Sequence, residues 1–349
     1  MTIVTVLVAV LCFGVIIMIH EGGHFVAAKK SGIRVLEFSI GMGPKLIQKK
    51  RGETKYTLRL FPIGGYCAME GEDDESKDPR AFRKAPVWKR MIVTVAGAAM
   101  NLVLGFVLIV IVTCMDSAIT SNTIAAFHAD ENGNSVASSD GWLQKGDRFI
   151  SINGLHIFTA TDISYALQND DCEEFTVVVE RGGEEITLEH VKFGDSKTKG
   201  MLDFYVRGEK KTFTGVLSYT CRSFVSTARL IWISLRDLIR GKYGFHDLSG
   251  VVGIIDTTTE VVSMSETIHD KIMTLLDLMS FITINVGIFN LIPFPALDGG
   301  RFVFLIIEAI RRKPIPAKVE GTIHLVGLSA LMLLMIAITF QDVSKIFQR

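Results

Sequence analysis

Four long stretches without Asp, Glu, Lys or Arg constrain this chain more than any other feature of its sequence. They cover residues 2–19, 91–115, 278–297 and 321–341. Each is about as long as a helix that crosses a bilayer, and a helix satisfies its own backbone hydrogen bonds in lipid. Because 21% of all residues are nevertheless charged, the sequence predicts a mixed protein, with several transmembrane helices and a water-soluble part.

The first stretch resembles a signal peptide only superficially. It lacks a basic start, and it is followed by His20 and Glu21 rather than by a small-residue cleavage site. We therefore expect it to remain as a transmembrane helix. The five cysteines are scattered without C-x-x-C spacing, so neither a disulfide framework nor a thiolate metal site is expected.

Basic residues set the expected orientation of these helices. Lys and Arg are concentrated between residues 29 and 90 and again between 311 and 318, and basic loops stay in the cytoplasm. Both chain ends and the region 116–277 should then lie outside. Lys+Arg and Asp+Glu are equal at 37 each, so no nucleic-acid partner is expected.

The outer region begins with a pattern typical of a small β-rich domain. Residues 149–153 alternate as in a short strand and end at an Asn-Gly turn, and Gly182-Gly183 separates two strand-like segments as in a hairpin. A helix is predicted over 161–167. Residues 216–240 form a second helical pattern, with Arg222, Arg229 and Arg236 on one face. We interpret it as an amphipathic helix at the outer membrane interface; the alternative is a helix packed against the soluble domain.

The pattern with the most chemical content is His20-Glu21-Gly22-Gly23-His24, which continues the first apolar stretch. On a helix, residues four apart share a face, so both imidazoles can bind one Zn²⁺, and Glu21 lies beside them as a candidate base for water. Ionisable residues within a membrane are costly and usually functional. The alternative is that His and Glu only end the helix in water.

Catalytic zinc sites usually have three protein ligands, and Asp298 is the candidate for the third. It follows the third apolar stretch directly, and Pro293 and Pro295 just before it should interrupt the helix. Broken helices at membrane depth are tolerated where they line a protein cavity. The alternative is that Asp298 is an ordinary interfacial helix cap.

These residues together resemble the site-2 protease family of intramembrane zinc metalloproteases, in its bacterial RseP-like branch. The resemblance covers nearly the whole chain and includes Asn290–Gly300, which is similar to the N-x-x-P-x-P-x-L-D-G-G element of the family. It implies that His20, His24 and Asp298 bind zinc, that Glu21 is the catalytic base, and that Asn285 and Asn290 handle the substrate backbone. Neutral imidazoles are needed as ligands, so activity should fall in acid.

The resemblance extends to two further segments. Residues 141–154 are similar to part of a bacterial PDZ domain, of which only one fits here. The stretch around Gly64 and Gly65 resembles β structure on the cytoplasmic side, whose edge would pair with an extended substrate. The chain departs from the family at Ala98 and Val251, where Pro is common. Neither position supplies a zinc ligand.

The expected architecture is a polytopic α-helical membrane protein with about four transmembrane helices, a cytoplasmic-side β-hairpin or sheet insertion and one extracytoplasmic PDZ-like β-rich domain. The expected segments are the first transmembrane helix at 1–30, the β region at 31–88, the second transmembrane helix at 89–116, the PDZ-like domain at 117–212, the interfacial helical region at 213–270, the third transmembrane helix at 271–308, a cytoplasmic loop at 309–320 and the fourth transmembrane helix at 321–343.

The resemblance implies a protease of the bacterial cell membrane that cuts transmembrane segments of single-span proteins such as anti-sigma factors or signal-peptide remnants. Zn²⁺ is the expected cofactor and the lipid bilayer the expected surroundings; the oligomeric state is left open. Two other functions fit the same pattern. One is a non-catalytic membrane adaptor that keeps the metal site as a fold staple, although a staple has no need of Glu21. The other is a metal-ion transporter, since intramembrane His and Asp also mark ion paths.

Overall fold

The computed structural model describes residues 3–72, 76–130, 132–170, 172–194, 202–244, 253 and 267–348. Its helices are α1 (Ile3–Ser31), α2 (Val87–Met115), α3 (Ala160–Asn169), α4 (Phe213–Ile239), α5 (Ile268–Asn290), α6 (Asp298–Arg311) and α7 (Ala317–Gln348). Its strands are β1 (Val35–Arg51), β2 (Thr54–Met69), β3 (Ile119–Phe127), β4 (Arg148–Ile152), β5 (Leu155–His156), β6 (Phe175–Arg181), β7 (Glu184–Val191) and β8 (Phe204–Glu209). Val251, one of the two positions where the chain departs from the family, lies outside the described residues.

Four of the described helices are long and apolar enough to cross a membrane. They span Val10–Ser31, Val87–Met115, Ile268–Asn290 and Ala317–Lys345. Each contains or overlaps one of the four uncharged stretches, so the prediction of a polytopic membrane protein is confirmed. The third helix ends at Asn290 rather than continuing to 297, and a new helix begins at Asp298. The interruption falls at Pro293 and Pro295, where the sequence predicts it.

The contacts divide the chain into two compact units. The first comprises residues 1–108 and 233–349, and the second comprises residues 109–232. In the first unit, helices α1 and α2 approach closely at Gly23, where an added Cβ would lie 2.3 Å from the carbonyl oxygen of Ala96. Helix α5 packs on α2 in a similar way, since a Cβ at Gly105 would lie 2.3 Å from Ile284. Small residues allow such close backbone approach between membrane helices.

The β sheet of the first unit is more elaborate than a simple hairpin. Residues 35–40 of β1 pair on one side with 65–69 of β2 and on the other with 55–58, while residues 45–51 pair with 54–59. Both long strands therefore fold back, and the sheet has four segments in the order 65–69, 35–40, 54–59 and 45–51. Residues 37–40 run parallel to 55–58, and the other two pairings are antiparallel. Among the described residues no strand pairs with the outer side of 65–69. This segment is one edge of the sheet.

The second unit is a β-rich domain with its own hydrophobic core. Its strands follow the order β7-β6-β4-β3-β8, with β5 paired to β4, and its core includes Phe149, Phe175 and Phe193. The predicted hairpin is present, because β6 pairs with β7 across Gly182 and Gly183, which both have positive φ angles. Two positive φ angles match the tight turns that connect twisted strands.

Two local details of this domain differ from the sequence pattern. The pairing of β4 with β6 shifts between Phe149 and Ser151, so Phe149 and Ile152 are both buried although they are three residues apart. Strict alternation fails because a bulge moves one residue to the other face. Helix α3 begins behind Thr159, which forms a capping box with Asp162, one residue earlier than the predicted segment.

Helix α4 contacts the β-rich domain through one of its arginines. Arg229 donates to Asp162 Oδ1 at 2.6 Å, and Ser226 donates to the same oxygen at 2.6 Å. Phe213, Trp232 and Ile239 remain exposed on this helix. The helix therefore contacts the β-rich domain through Ser226 and Arg229 and also carries exposed apolar side chains.

The two neighbouring glycines of the histidine motif should respond differently to alanine. A Cβ at Gly23 would force α1 and α2 apart, which we expect to cost roughly 1–3 kcal/mol of stability. A Cβ at Gly22 meets no atom within 4 Å, so Gly22→Ala should be neutral or stabilising by about 1 kcal/mol through helix propensity. Thermal unfolding of both purified variants measures this difference. Equal melting temperatures would contradict the close packing at Gly23.

Candidate metal centre and active site

Three predicted site residues converge in the first unit. The Nε2 atoms of His20 and His24 lie 3.3 Å apart on one face of α1, and each lies 3.3 Å from Asp298 Oδ2. The side chains are 12%, 11% and 23% exposed, respectively. Residues that are 278 positions apart in the sequence are thus brought to one point.

The triangle fits a zinc ion by its size. Ligand atoms about 2.0–2.1 Å from a tetrahedral Zn²⁺ lie about 3.3–3.4 Å from one another. The three atoms already stand at that spacing, and within the described chain Asp298 Oδ2 is buried without a hydrogen bond of regular geometry. A buried carboxylate oxygen without a partner is costly, so its position is best explained by a cation that completes the site.

The break before α6 places Asp298 against the two histidines. Residues 291–297 fold back on the start of α6, because a Cβ at Gly299 would lie 2.2 Å from the carbonyl oxygen of Ile292 and one at Gly300 would lie 2.3 Å from that of Phe294. From the other side, a Cβ at Gly327 of α7 would lie 2.5 Å from Pro295. The two glycines after Asp298 are therefore needed for this turn.

Helix α2 orients both imidazoles. His24 Nδ1 donates to the carbonyl oxygen of Val93 at 2.8 Å, and because a carbonyl only accepts, Nε2 is left free to bind a metal. Asn101 is fully buried, and its amide lies 3.3 Å from His20 Nδ1. In the alternative orientation of this amide, Oδ1 accepts from Nδ1–H. Such outer hydrogen bonds fix metal-binding tautomers.

Glu21 lies between the histidines and the edge segment 65–69. A Cβ at Gly65 would lie 3.3 Å from Glu21 Cγ, so this glycine leaves space for the carboxylate. The carboxylate also accepts a hydrogen bond from the backbone N–H of Cys67. Glu21 does not share the oxygen and nitrogen triangle of the metal site, which leaves it available for proton transfer.

A cavity of about 510 Å³ surrounds these groups. It is lined by His20, Glu21, His24, Tyr66, Cys67, Ala68, Met69, Glu72, Thr94, Asn290, Ala296, Asp298 and Arg301. Asn290 thus faces the site, and its amide donates to the carbonyl of Val286 at 2.9 Å. Asn285 and Gly64 are not among the described residues that line the cavity. Gly64 has a φ of 88° and turns the strand just before the edge segment.

Two side chains of the edge segment are held in their neutral forms. Burial, and then the nearby Glu21 carboxylate, raise the pKa of the Cys67 thiol to about 12, so the thiol is no nucleophile at neutral pH. Burial, and then Glu37, raise the pKa of the Tyr66 phenol. Neither of these two side chains is therefore suited to act as a base at neutral pH.

Sequence reasoning missed several residues that support the site. Val93 contributes a carbonyl oxygen, and no side-chain pattern can identify a backbone acceptor. Asn101 belongs to no metal-binding motif, although a polar residue in a charge-free helix is a usable signal. His324 accepts from the backbone N–H of Ala296 at 2.9 Å and so supports the break before Asp298 from α7.

Comparison with known proteins agrees with this geometry. The model of peptidase family M50 matches residues 8–334. A relative from Clostridium acetobutylicum, provisionally described as a zinc metalloprotease, is 35% identical, with 98% of both chains covered. The regulator of sigma-W protease RasP from Bacillus subtilis is 31% identical, and the zinc metalloprotease RasP from Shouchella clausii is 30% identical. In both, 98% of this chain and 99% of the relative are covered.

The lengths of these alignments differ in an informative way. The alignments with the two RasP proteins run over 428 residues, whereas this chain has 349. The alignment with the Clostridium acetobutylicum relative runs over 348 residues. The RasP proteins therefore contain inserted residues that this chain and the clostridial relative lack.

Gly97 of α2 offers a direct test of the metal centre. A Cβ at this position would lie 2.3 Å from His24 Nε2, so Gly97→Ala should push the imidazole out of the triangle. We expect zinc affinity to fall by at least about 10–100-fold, as when an outer partner of a ligand is lost. Zinc per chain after dialysis against a graded chelator measures the effect. Gly22→Ala is the matched control, and zinc retention equal to that control would contradict the site.

Proposed function

Because the chain belongs to peptidase family M50 and is a zinc metalloprotease of the site-2 class, we propose that it hydrolyses peptide bonds within transmembrane segments of single-span proteins. Substrates of the anti-sigma-factor kind agree with the name of the Bacillus subtilis relative, regulator of sigma-W protease. Signal-peptide remnants are a second substrate class with the same single-span form. In either case the backbone N–H and C=O groups of the target helix are already paired by hydrogen bonds within that helix.

The single observation that carries the proposal is the triangle of three ligand atoms, each 3.3 Å from the other two. His20, His24 and Asp298 would hold Zn²⁺ there. The bound ion supplies Lewis-acid chemistry, which acidifies water and polarises the scissile carbonyl. An adaptor does not need Glu21 beside such a triangle, and a transporter does not need a strand edge next to it.

Glu21 is the proposed catalytic base. Its carboxylate takes a proton from the attacking water and later delivers it to the nitrogen of the departing amine, so one group serves both halves of the hydrolysis. Its hydrogen bond from the Cys67 N–H aims the carboxylate toward the strand edge. A substrate carbonyl that accepts from Cys67 N–H in its place would free Glu21 at the moment of binding.

The edge segment 65–69 is the proposed docking site for the unwound substrate. An extended chain that adds to this edge satisfies its backbone groups by strand pairing, as peptide ligands commonly do. Gly65 leaves space beside Glu21, and Gly64 turns the strand into position. Asn290 lines the cavity and is suited to bind the substrate backbone; Asn285, five residues earlier on α5, is proposed to assist during entry.

The β-rich domain is the proposed PDZ-like filter outside the cytoplasm, and a single module of this kind fits the chain. Its position between α2 and α4 in the sequence agrees with the segments expected at 117–212 and 213–270. The basic loops at 29–90 and 311–318 support a cytoplasmic β region and a cell-membrane location. The filter would bind a C-terminus newly exposed by a first cut, or exclude substrates with large outer domains.

Replacing the proposed base should separate metal binding from catalysis. We expect Glu21→Gln to retain one zinc per chain and to lose at least about 10²–10⁴-fold in cleavage rate, because Gln keeps the shape but cannot take the proton. Elemental analysis and cleavage of a single-span reporter by the purified protein measure both quantities. His24→Ala should lose both; normal cleavage by Glu21→Gln would contradict the mechanism.

Removing the β-rich domain should test the filter. The paired residues Thr120 and Gly208 lie side by side on β3 and β8, so residues 121–207 are best replaced by a short Gly-Ser linker between them. We expect this variant to cleave a substrate that retains a large outer domain, which the full chain spares. A substrate with a short outer segment serves as the control for an intact active site. Unchanged resistance of the large substrate would contradict gating.

A further inference from the structure

The free edge of segment 65–69 is already capped by carboxylates in the absence of substrate. The backbone N–H of Cys67 donates to Glu21, and the backbone N–H of Met69 lies 3.3 Å from Glu72 Oε2 and donates to it. Alternate residues of a strand direct their N–H groups to the same side. The outward donors at Cys67 and Met69 are thus occupied, one by the proposed base and the other by Glu72.

Glu72 is held in place by the helix that carries Asp298. Its other carboxylate oxygen accepts from Arg301 Nη1. Arg301 follows Asp298 by three residues, so the two side chains share one face of α6. Glu72 and Arg301 both line the cavity. The end of the strand edge is therefore connected to the metal centre through less than one turn of helix.

Two further residues close this connection into a ring. Arg301 Nε lies 4.0 Å from Glu320 Oε1, and Arg83 donates to Glu320 Oε2 at 2.7 Å and to the backbone carbonyl of Glu72 at 3.2 Å. The four side chains are only 14–24% exposed. Removing one partner of an ion pair that is shielded from water is destabilising, because the other charge is left unpaired. The ring therefore fixes the position of Glu72.

We propose that Glu72, clamped by Arg301, is a register stop for the substrate strand; this rests on the proposed function, in which the edge segment docks substrate. An incoming strand can replace Glu21 at Cys67, but the clamped Glu72 keeps the Met69 donor occupied and ends the pairing there. Glu72 and Arg301 are positioning residues. They set which peptide bond lies at the metal centre.

Loss of the stop has a specific geometric consequence. Strand pairing repeats every two residues, because alternate residues face the same side. With Met69 N–H released, a substrate can pair one repeat further along the edge, and the bond presented to Glu21 moves by two residues. A residue that only stabilises the fold would reduce the amount of active protein without moving the cleaved bond.

The experiment maps cleavage positions in a single-span reporter by mass spectrometry, with the full-length, zinc-loaded protein. Glu72→Ala and Arg301→Gln should each give a second product, displaced by two residues from the wild-type cut. We expect at least about one product in ten to be displaced. A tenfold preference for the wild-type position over the displaced one corresponds to about 1.4 kcal/mol. Arg301→Lys keeps a cation at the clamp and should restore the single position at least in part.

A matched control lies on the same helix. Glu308 of α6 accepts from the buried Arg90 at 3.0 Å, an ion pair that does not reach the strand edge. Glu308→Gln should lower thermal stability and leave the cleaved bond unchanged. A single, unmoved cleavage position in folded Glu72→Ala and Arg301→Gln would overturn the register stop. A displaced product in Glu308→Gln would overturn it as well, because general loosening would then explain the shift.

Hydrogen–deuterium exchange without substrate separates this inference from the proposed function. Peptides that contain Met69 should exchange faster in Glu72→Ala and Arg301→Gln than in the wild type, and at the wild-type rate in Glu308→Gln. Unchanged exchange overturns the clamp even if cleavage proceeds. A wild-type protein that cuts no single-span reporter overturns the proposed function, while the exchange data still decide whether Glu72 caps the edge.

Discussion

The convergence of one carboxylate with two imidazoles is the constraint on which the rest of the structure depends. Asp298 Oδ2 stands 3.3 Å from both Nε2 atoms, in surroundings where an isolated charge is costly. Holding it there requires a helix that ends at Asn290, a folded-back segment, and glycines that leave no Cβ at 299 and 300. It also requires α2. Gly97 of this helix leaves space for the His24 imidazole, and the carbonyl oxygen of Val93 accepts a hydrogen bond from His24.

The same constraint explains why the β sheet lies where it does. A metal centre alone does not open a helical substrate, and the backbone of an unwound segment needs partners once it leaves its own hydrogen-bonded ladder. Under the proposed function, the edge segment 65–69 would supply such partners next to Glu21. The proposed metal ligands, the proposed base and the strand edge come from three separate parts of the sequence, and they pack within one compact unit.

Much of this arrangement is readable from the sequence. The i, i+4 histidines and the charge-free helices follow from helical periodicity and bilayer length, and Pro293 and Pro295 predict the break before Asp298. The doubling back of β1 and β2 does not follow from the sequence, because it depends on which of several possible partners residues 35–40 select. The bulge at Phe149 and the hydrogen bond to the Val93 carbonyl were likewise missed, since backbone pairing and backbone acceptors carry no residue signature.

The two edges of the small sheet differ, and the difference bears on inhibitor design. The outer segment 45–51 carries Lys45, Lys49, Lys50 and Arg51, and charged residues discourage unwanted strand addition. The segment 65–69 has no charged residue, and its residues 66–69 line the cavity. Under the proposed function, a compound that imitates a membrane helix matches the form in which the substrate arrives, whereas the substrate is cut in an extended form. A short, strand-shaped peptidomimetic with a zinc-chelating group matches the latter.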